Sequence, residues 1–288
     1  MPHSDIPSLP SSLGDRPPPT DIWQDPIDGD KSPYRRLCQH RRGMPNPVDL
    51  LHYAQDLAYR ERLQPELFHY LLPICLNAWH WNLNHDGQTE YADFVELFCL
   101  SLAERPLLSK HLTPEEATAV TGFMRDAILA RVGAGPADTW LPSVATFATA
   151  FSTLKSLWLE WWEMATHGHA VGALQYISCL VYPDSENPWF KTKTVRAGGH
   201  PPRLWVSEAP GGEQFWKPEN IRFLTTVLTP DYLRDALLRA TWVLEDRERS
   251  AERFKADFDR YSTLLERRLG ALPEILASPL RHGGAWPA

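Results

Sequence analysis

The chain has 288 residues, 43% of them hydrophobic, enough for one large domain or two small ones with a substantial core. Its 29 Lys and Arg against 36 Asp and Glu give a net charge of −7, so the average surface field repels phosphate backbones and nucleic acid is excluded as the expected partner. No run of about 18 uncharged apolar residues occurs, and the first thirty residues hold no apolar stretch behind a positive one, so neither a membrane span nor a secretory leader is expected.

From Met1 to Pro47 lie ten of the 26 prolines, among them Pro17-Pro18-Pro19. Such composition buries too little apolar area to offset ordering entropy, so residues 1–46 are expected to form an arm without fixed structure that is dispensable for folding. Pro17 to Thr20 has the make-up of a polyproline II turn. Arg35, Arg36, His40, Arg41 and Arg42 form the one basic run, expected to be solvated.

The helical core is expected over residues 47–182. Asn46-Pro47-Val48-Asp49 places a capping Asn, a Pro at the first helical position and an acid facing the positive end of the helix dipole, and the helix should run to about Arg62. Pro65 restarts a second helix to about Leu83, in which Phe68, Leu71, Leu72, Cys75, Leu76 and Trp79 recur every three or four residues and Pro73 should kink or restart the chain. Tyr91 to Ala103 repeats the pattern through Phe94, Val95, Phe98 and Leu102. Thr113-Pro114-Glu115-Glu116 is a capping box, opening a helix that should last to about Val132 before Gly133-Ala134-Gly135-Pro136 ends it. Two more helices are expected over 141–166 and 170–182.

Residues 183–218 change character. Lys191 to Val195 and Arg203 to Ser207 have strand propensity, so an irregular or hairpin insertion is expected there. Over 219–270, Leu233, Leu237, Ala240, Leu244, Ala251, Phe254, Phe258, Tyr261 and Leu265 follow a heptad seam interrupted by Arg247, which predicts one long helix from Thr229-Pro230 that packs on the core. Residues 271–288 are expected to form a flexible tail. The fold class is therefore mainly α: a multi-helix bundle or irregular helical array with a small hairpin or loop insertion and a long C-terminal helix.

Candidate sites follow from chemistry. Glu160, Glu163 and His167, at spacings of three and four, share a helical face and form a ligand set for a first-row divalent metal, with His169 nearby. A second Glu-x-x-His, which a two-metal bundle needs, is absent. Lys191, Lys193, Arg196 and Arg203 surround Gly198-Gly199 and suit a small anion or a partner contact. Phe254, Phe258 and Tyr261 form an aromatic stripe for helix packing or self-association, which includes a homodimer through the C-terminal helix. His80 and His85 lie near Asp86, but no nucleophile sits on a strand-to-helix elbow to use them. GxxxxGK[ST], GxGxxG and HExxH are absent, and no cofactor is expected. Cys38, Cys75, Cys99 and Cys179 form no CxxC pair and read as buried thiols of a reducing compartment, which places the protein in the cytoplasm.

Tyr70-Leu71-Leu72-Pro73 and Leu112 to Val120 resemble segments of bacterial helical proteins, some of them associated with toxin and immunity systems. The similarity covers about a fifth of the chain and implies a binding role. Acidity, 12 tryptophans and a long amphipathic helix suit protein contacts. The expected function is thus a non-catalytic protein-binding or adaptor protein, of the kind that includes toxin-neutralising immunity partners, with a metal-dependent enzyme centred on Glu160, Glu163 and His167 as the alternative.

Overall fold

The computed structural model describes residues 9–14, 16–22, 32–39, 44–85, 90–104, 106–133, 218–227, 229–232, 234–235, 256, 260 and 262–271. Every element among these residues is helical. The chain divides into two compact units, Met1–Ile128 and Leu129–Ala288.

The first unit is built on helices α1 (Pro33–Gln39), α2 (Pro47–Tyr59), α3 (Pro65–Asn84), α4 (Ala92–Glu104), α5 (Leu107–His111) and α6, which starts at Pro114 and runs to Gly133 in the second unit. Their starts are where cap chemistry puts them. Asn46 accepts the Val48 N–H at 2.8 Å ahead of Pro47. At α6, the Thr113 N–H donates to Glu116 Oε2 at 2.9 Å and the Glu116 N–H donates to Thr113 Oγ1 at 3.2 Å, the reciprocal pair of a capping box.

Helix α2 stops at Tyr59, three residues before the expected end. Arg60 turns to extended backbone and its side chain reaches back to Asp56 at 3.4 Å. Pro73 does not restart the chain, and α3 is continuous through it. The missing N–H costs the His69 carbonyl its partner four residues on. That loss is tolerated because Leu71, Leu72, Cys75 and Leu76 on either side are fully buried.

The core lies where α2, α3 and α4 meet. Helix α2 makes its most extensive contact with α4, and α1 lies against α2. Phe94 and Phe98 of α4 stack with centroids 5.4 Å apart. Trp79 of α3 meets Phe123 of α6 edge-on at 6.2 Å. On α6 the buried residues Val120, Phe123, Met124, Ala127 and Ile128 make one apolar stripe at spacings of three and four. Polar ties hold the entries: Tyr91 donates to the Pro45 carbonyl at 2.6 Å, and Tyr70 donates to the Cys38 carbonyl at 3.2 Å.

Two stretches inside the expected arm depart from that expectation. Ser11–Leu13 forms a short 3-10 turn whose Leu13 is 4% exposed, and α1 buries Tyr34, Leu37 and Cys38. Arg36, read as part of a solvated basic run, makes a bidentate ion pair with Asp49 through Nε, at 2.9 Å, and Nη2. Asp49 is 2% exposed. What proline content concealed is one short helix with a buried face; composition averages over a window and does not register seven ordered residues.

In the second unit, α7 spans Pro218–Val227. Thr229 caps the helical residues after it, accepting the Tyr232 N–H at 3.2 Å, as the Thr229-Pro230 start predicts. Residues 262–271 are helical, with Leu265 of the heptad seam buried. Among the described residues no helix is long and apolar enough to cross a membrane. The helices expected at 141–166 and 170–182, the insertion and most of the heptad seam lie outside the described residues.

A chain lacking residues 1–42 loses the burial of Leu13, Tyr34, Leu37 and Cys38 together with the Arg36–Asp49 pair. Its thermal midpoint is expected to fall by more than about 5 °C, since one large buried side chain alone is worth roughly 1.5–3 kcal/mol. A midpoint within about 2 °C of the full chain would show that these contacts contribute little.

Candidate functional site

A cleft of about 350 Å³ opens in the first unit where the N-terminal segment, α1, α2 and the α2–α3 connection converge. It is lined by Asp21, Tyr34, Tyr53, Asp56, Arg60, Arg62, Leu63, Gln64 and Leu67. Helical spacing sets two of these groups, Tyr53 and Asp56, three residues apart on α2, and Arg60, the extended residue that ends the helix, folds its side chain back to Asp56. Tyr34 arrives from α1, Asp21 from the N-terminal segment, where its carbonyl accepts from Gln64 Nε2, and Leu67 from the first turn of α3.

Asp56 is the polar centre. Its Oδ2 accepts the Tyr34 hydroxyl and faces Arg60 Nη2 at 3.4 Å, so the carboxylate is held from two sides. The Tyr34 and Tyr53 rings meet edge-to-face, with centroids 6.1 Å apart and planes at 80°.

Tyr53 differs from its neighbour. It is 3% exposed, and its hydroxyl is covered and has no hydrogen-bond partner. Burial, followed by the charged forms of Cys75, Tyr34, Asp56 and Cys38 around it, pushes its phenol well above the ordinary range. At neutral pH Tyr53 is therefore a neutral phenol, a donor facing no protein acceptor. Arg62, in contrast, stands exposed at the rim.

Burial pushes the Cys38 thiol up to about 11 and raises Cys75 further, so neither is a thiolate nucleophile at neutral pH. His80 is lowered by burial, and its ring lies 5.6 Å from that of Phe123. His85 stacks on Trp81 at 4.0 Å and its Nδ1 lies 2.8 Å from the Trp81 carbonyl, while Asp86 is outside the described residues. Among the described residues no group of His, Cys, Asp and Glu could hold a metal ion.

Glu160, Glu163, His167, Lys191, Lys193, Arg196, Arg203, Phe254, Phe258 and Tyr261 all lie outside the described residues. The Asp56 and Arg60 spacing of four was visible in the sequence as a helix-face pair. Nothing local signalled Tyr34, 22 residues from Asp56, or Asp21, 43 residues from Gln64. No protein-family model, curated protein or solved structure matches the chain.

The two tyrosines make opposite predictions. Tyr34→Phe removes a donor from Asp56 and should cost about 1 kcal/mol, whereas Tyr53→Phe removes a buried hydroxyl without a partner and should be neutral or stabilising by up to about 1 kcal/mol. Urea unfolding of both variants checks this. A Tyr53→Phe loss as large as that of Tyr34→Phe would mean that the Tyr53 hydroxyl is bonded in solution.

Proposed function

We propose that the protein is a non-catalytic binding protein, an adaptor or an immunity-type neutralising partner, and that the cleft on its first unit receives a segment of the partner protein. The observation that carries this reading is an exposed cation at the edge of an aromatic recess: Arg62 stands open to solvent beside Tyr34, Tyr53 and Asp56 in the lining of the cleft. A peptide supplies carbonyl acceptors at every residue, which an exposed guanidinium can meet.

The rest of the lining supports the same reading. Tyr and Arg are the residues on which protein interfaces concentrate binding energy, and Leu63 and Leu67 add apolar area beside charges of both signs. The scale of the cleft fits one or two partner side chains, with further contact required around it.

Arg62→Glu reverses an exposed rim charge that has no partner among the described residues, so the fold should be unaffected. Tagged full-length protein is expressed in its native cells and co-purifying proteins are quantified for wild type, Arg62→Glu and Lys110→Glu, the last an exposed charge outside the lining. The expected result is a protein enriched with wild type and Lys110→Glu and depleted about tenfold or more with Arg62→Glu, a change of roughly 1.4 kcal/mol. An unchanged set contradicts the cleft reading. Stoichiometric retention of a first-row metal by the wild type, lost in Glu163→Ala or His167→Ala, would instead favour the metal-dependent enzyme.

A further inference from the structure

The N-terminal segment that supplies Asp21 to the cleft is held by few contacts, and those contacts are separable from the helical body. Of its described side chains Leu13 is the buried one, while Ser11, Gly14, Arg16, Pro17, Pro18, Thr20 and Asp21 are exposed. Three residues after Leu13, Arg16 Nη2 donates to Glu116 Oε1 at 2.6 Å. Farther along, the Asp21 carbonyl accepts from Gln64 Nε2. The segment keeps its own shape through bonds from the Leu13 N–H to the Pro10 carbonyl at 3.0 Å and from the Gly14 N–H to the Ser11 carbonyl at 3.1 Å.

The body does not need Arg16 in order to stay folded. Glu116 uses its other oxygen, Oε2, for the Thr113 N–H, and its own N–H is satisfied by Thr113 Oγ1, so the first turn of α6 remains capped when the guanidinium leaves. The carboxylate then remains at a helix N-terminus, where negative charge is favoured. His69 lies near this pair: burial and then Arg16 lower its pKa, while Glu116 and Glu66 act in the opposite direction. The Arg16 side chain is 42% exposed and that of Glu116 10%, so salt reaches the pair from the guanidinium side.

We infer that residues 9–14 and 16–22 form a releasable strap, latched through Arg16 on Glu116 and through Leu13, which closes the Asp21 side of the cleft and opens while the helical body stays folded. Release frees chain entropy and, among the described residues, gives up the buried Leu13, the part-buried Arg16–Glu116 pair, the Gln64-to-Asp21 carbonyl bond and the partial cover of Pro19 and Ile22. A strap that borders the cleft in this way controls access for a partner segment. That consequence rests on the cleft reading, whereas the latch does not.

Hydrogen exchange measured by mass spectrometry on the full chain, with no partner present, tests the latch. In Arg16→Ala, exchange in peptides covering residues 10–22 should be about two- to fivefold faster than in wild type, with α3 and α4 unchanged, and Arg16→Lys should restore most of the protection. Raising salt from about 0.05 to 0.5 M should loosen the wild-type strap and leave Arg16→Ala unaffected. Strap exchange that Arg16→Ala does not alter, or a rise that extends through α3 and α4, overturns the proposal. Faster strap exchange in Arg16→Ala combined with a co-purifying set indifferent to Arg62→Glu would leave the strap standing and remove the cleft as the partner site.

Discussion

The first unit depends on the ion pair between Arg36 and Asp49. Asp49 sits in the first turn of α2, where an acid complements the helix dipole, and it is almost completely covered. A carboxylate withdrawn from water needs hydrogen bonds to replace those it gives up, and the Arg36 fork supplies two. Because Arg36 belongs to α1, satisfying this charge fixes a seven-residue helix that is too short to persist by itself. Side-chain specificity thus orders a piece of chain that propensity would leave loose.

From that point the arrangement follows through packing. With α1 set against α2, Tyr34 reaches Asp56 and its ring meets Tyr53, while Leu37 and Cys38 of the same helix are buried. Helix α2, pinned on one side by α1, packs on α4 through small and large residues in turn: Ala54 is fully buried and the Ser101 hydroxyl lies 3.5 Å from its carbonyl. The cleft is what remains where α1, the end of α2 and the turn into α3 do not fill space, and Asp56 links its two sides.

Much of the fold was legible in the sequence because its signals are local. The Asn46-Pro47 and Thr113-Pro114 starts, and the three-four recurrence of Phe94, Val95, Phe98 and Leu102, act within one or two turns and appear as hydrogen bonds and buried rows at the expected residues. What escaped notice is long-range. Arg36 looked like part of a basic run because its partner lies 13 residues away on the next helix, and Arg16 and Glu116 are 100 residues apart. Pro73 misled in the other direction, since tertiary burial on both sides of it overrides the break that a lone proline suggests. The cleft was illegible for the same reason as the arm: its walls come from four parts of the chain.

One ion pair, covered on its Asp49 side and exposed on its Arg36 side, organises the N-terminal half of the first unit. A double-mutant cycle on Arg36→Ala and Asp49→Ala, followed by urea unfolding, measures that pair directly. The account predicts a coupling energy of about 1–3 kcal/mol, because each single variant forfeits the same bidentate contact. A coupling indistinguishable from zero, with the two losses simply adding, would mean that α1 is held by its apolar face alone and would contradict the account.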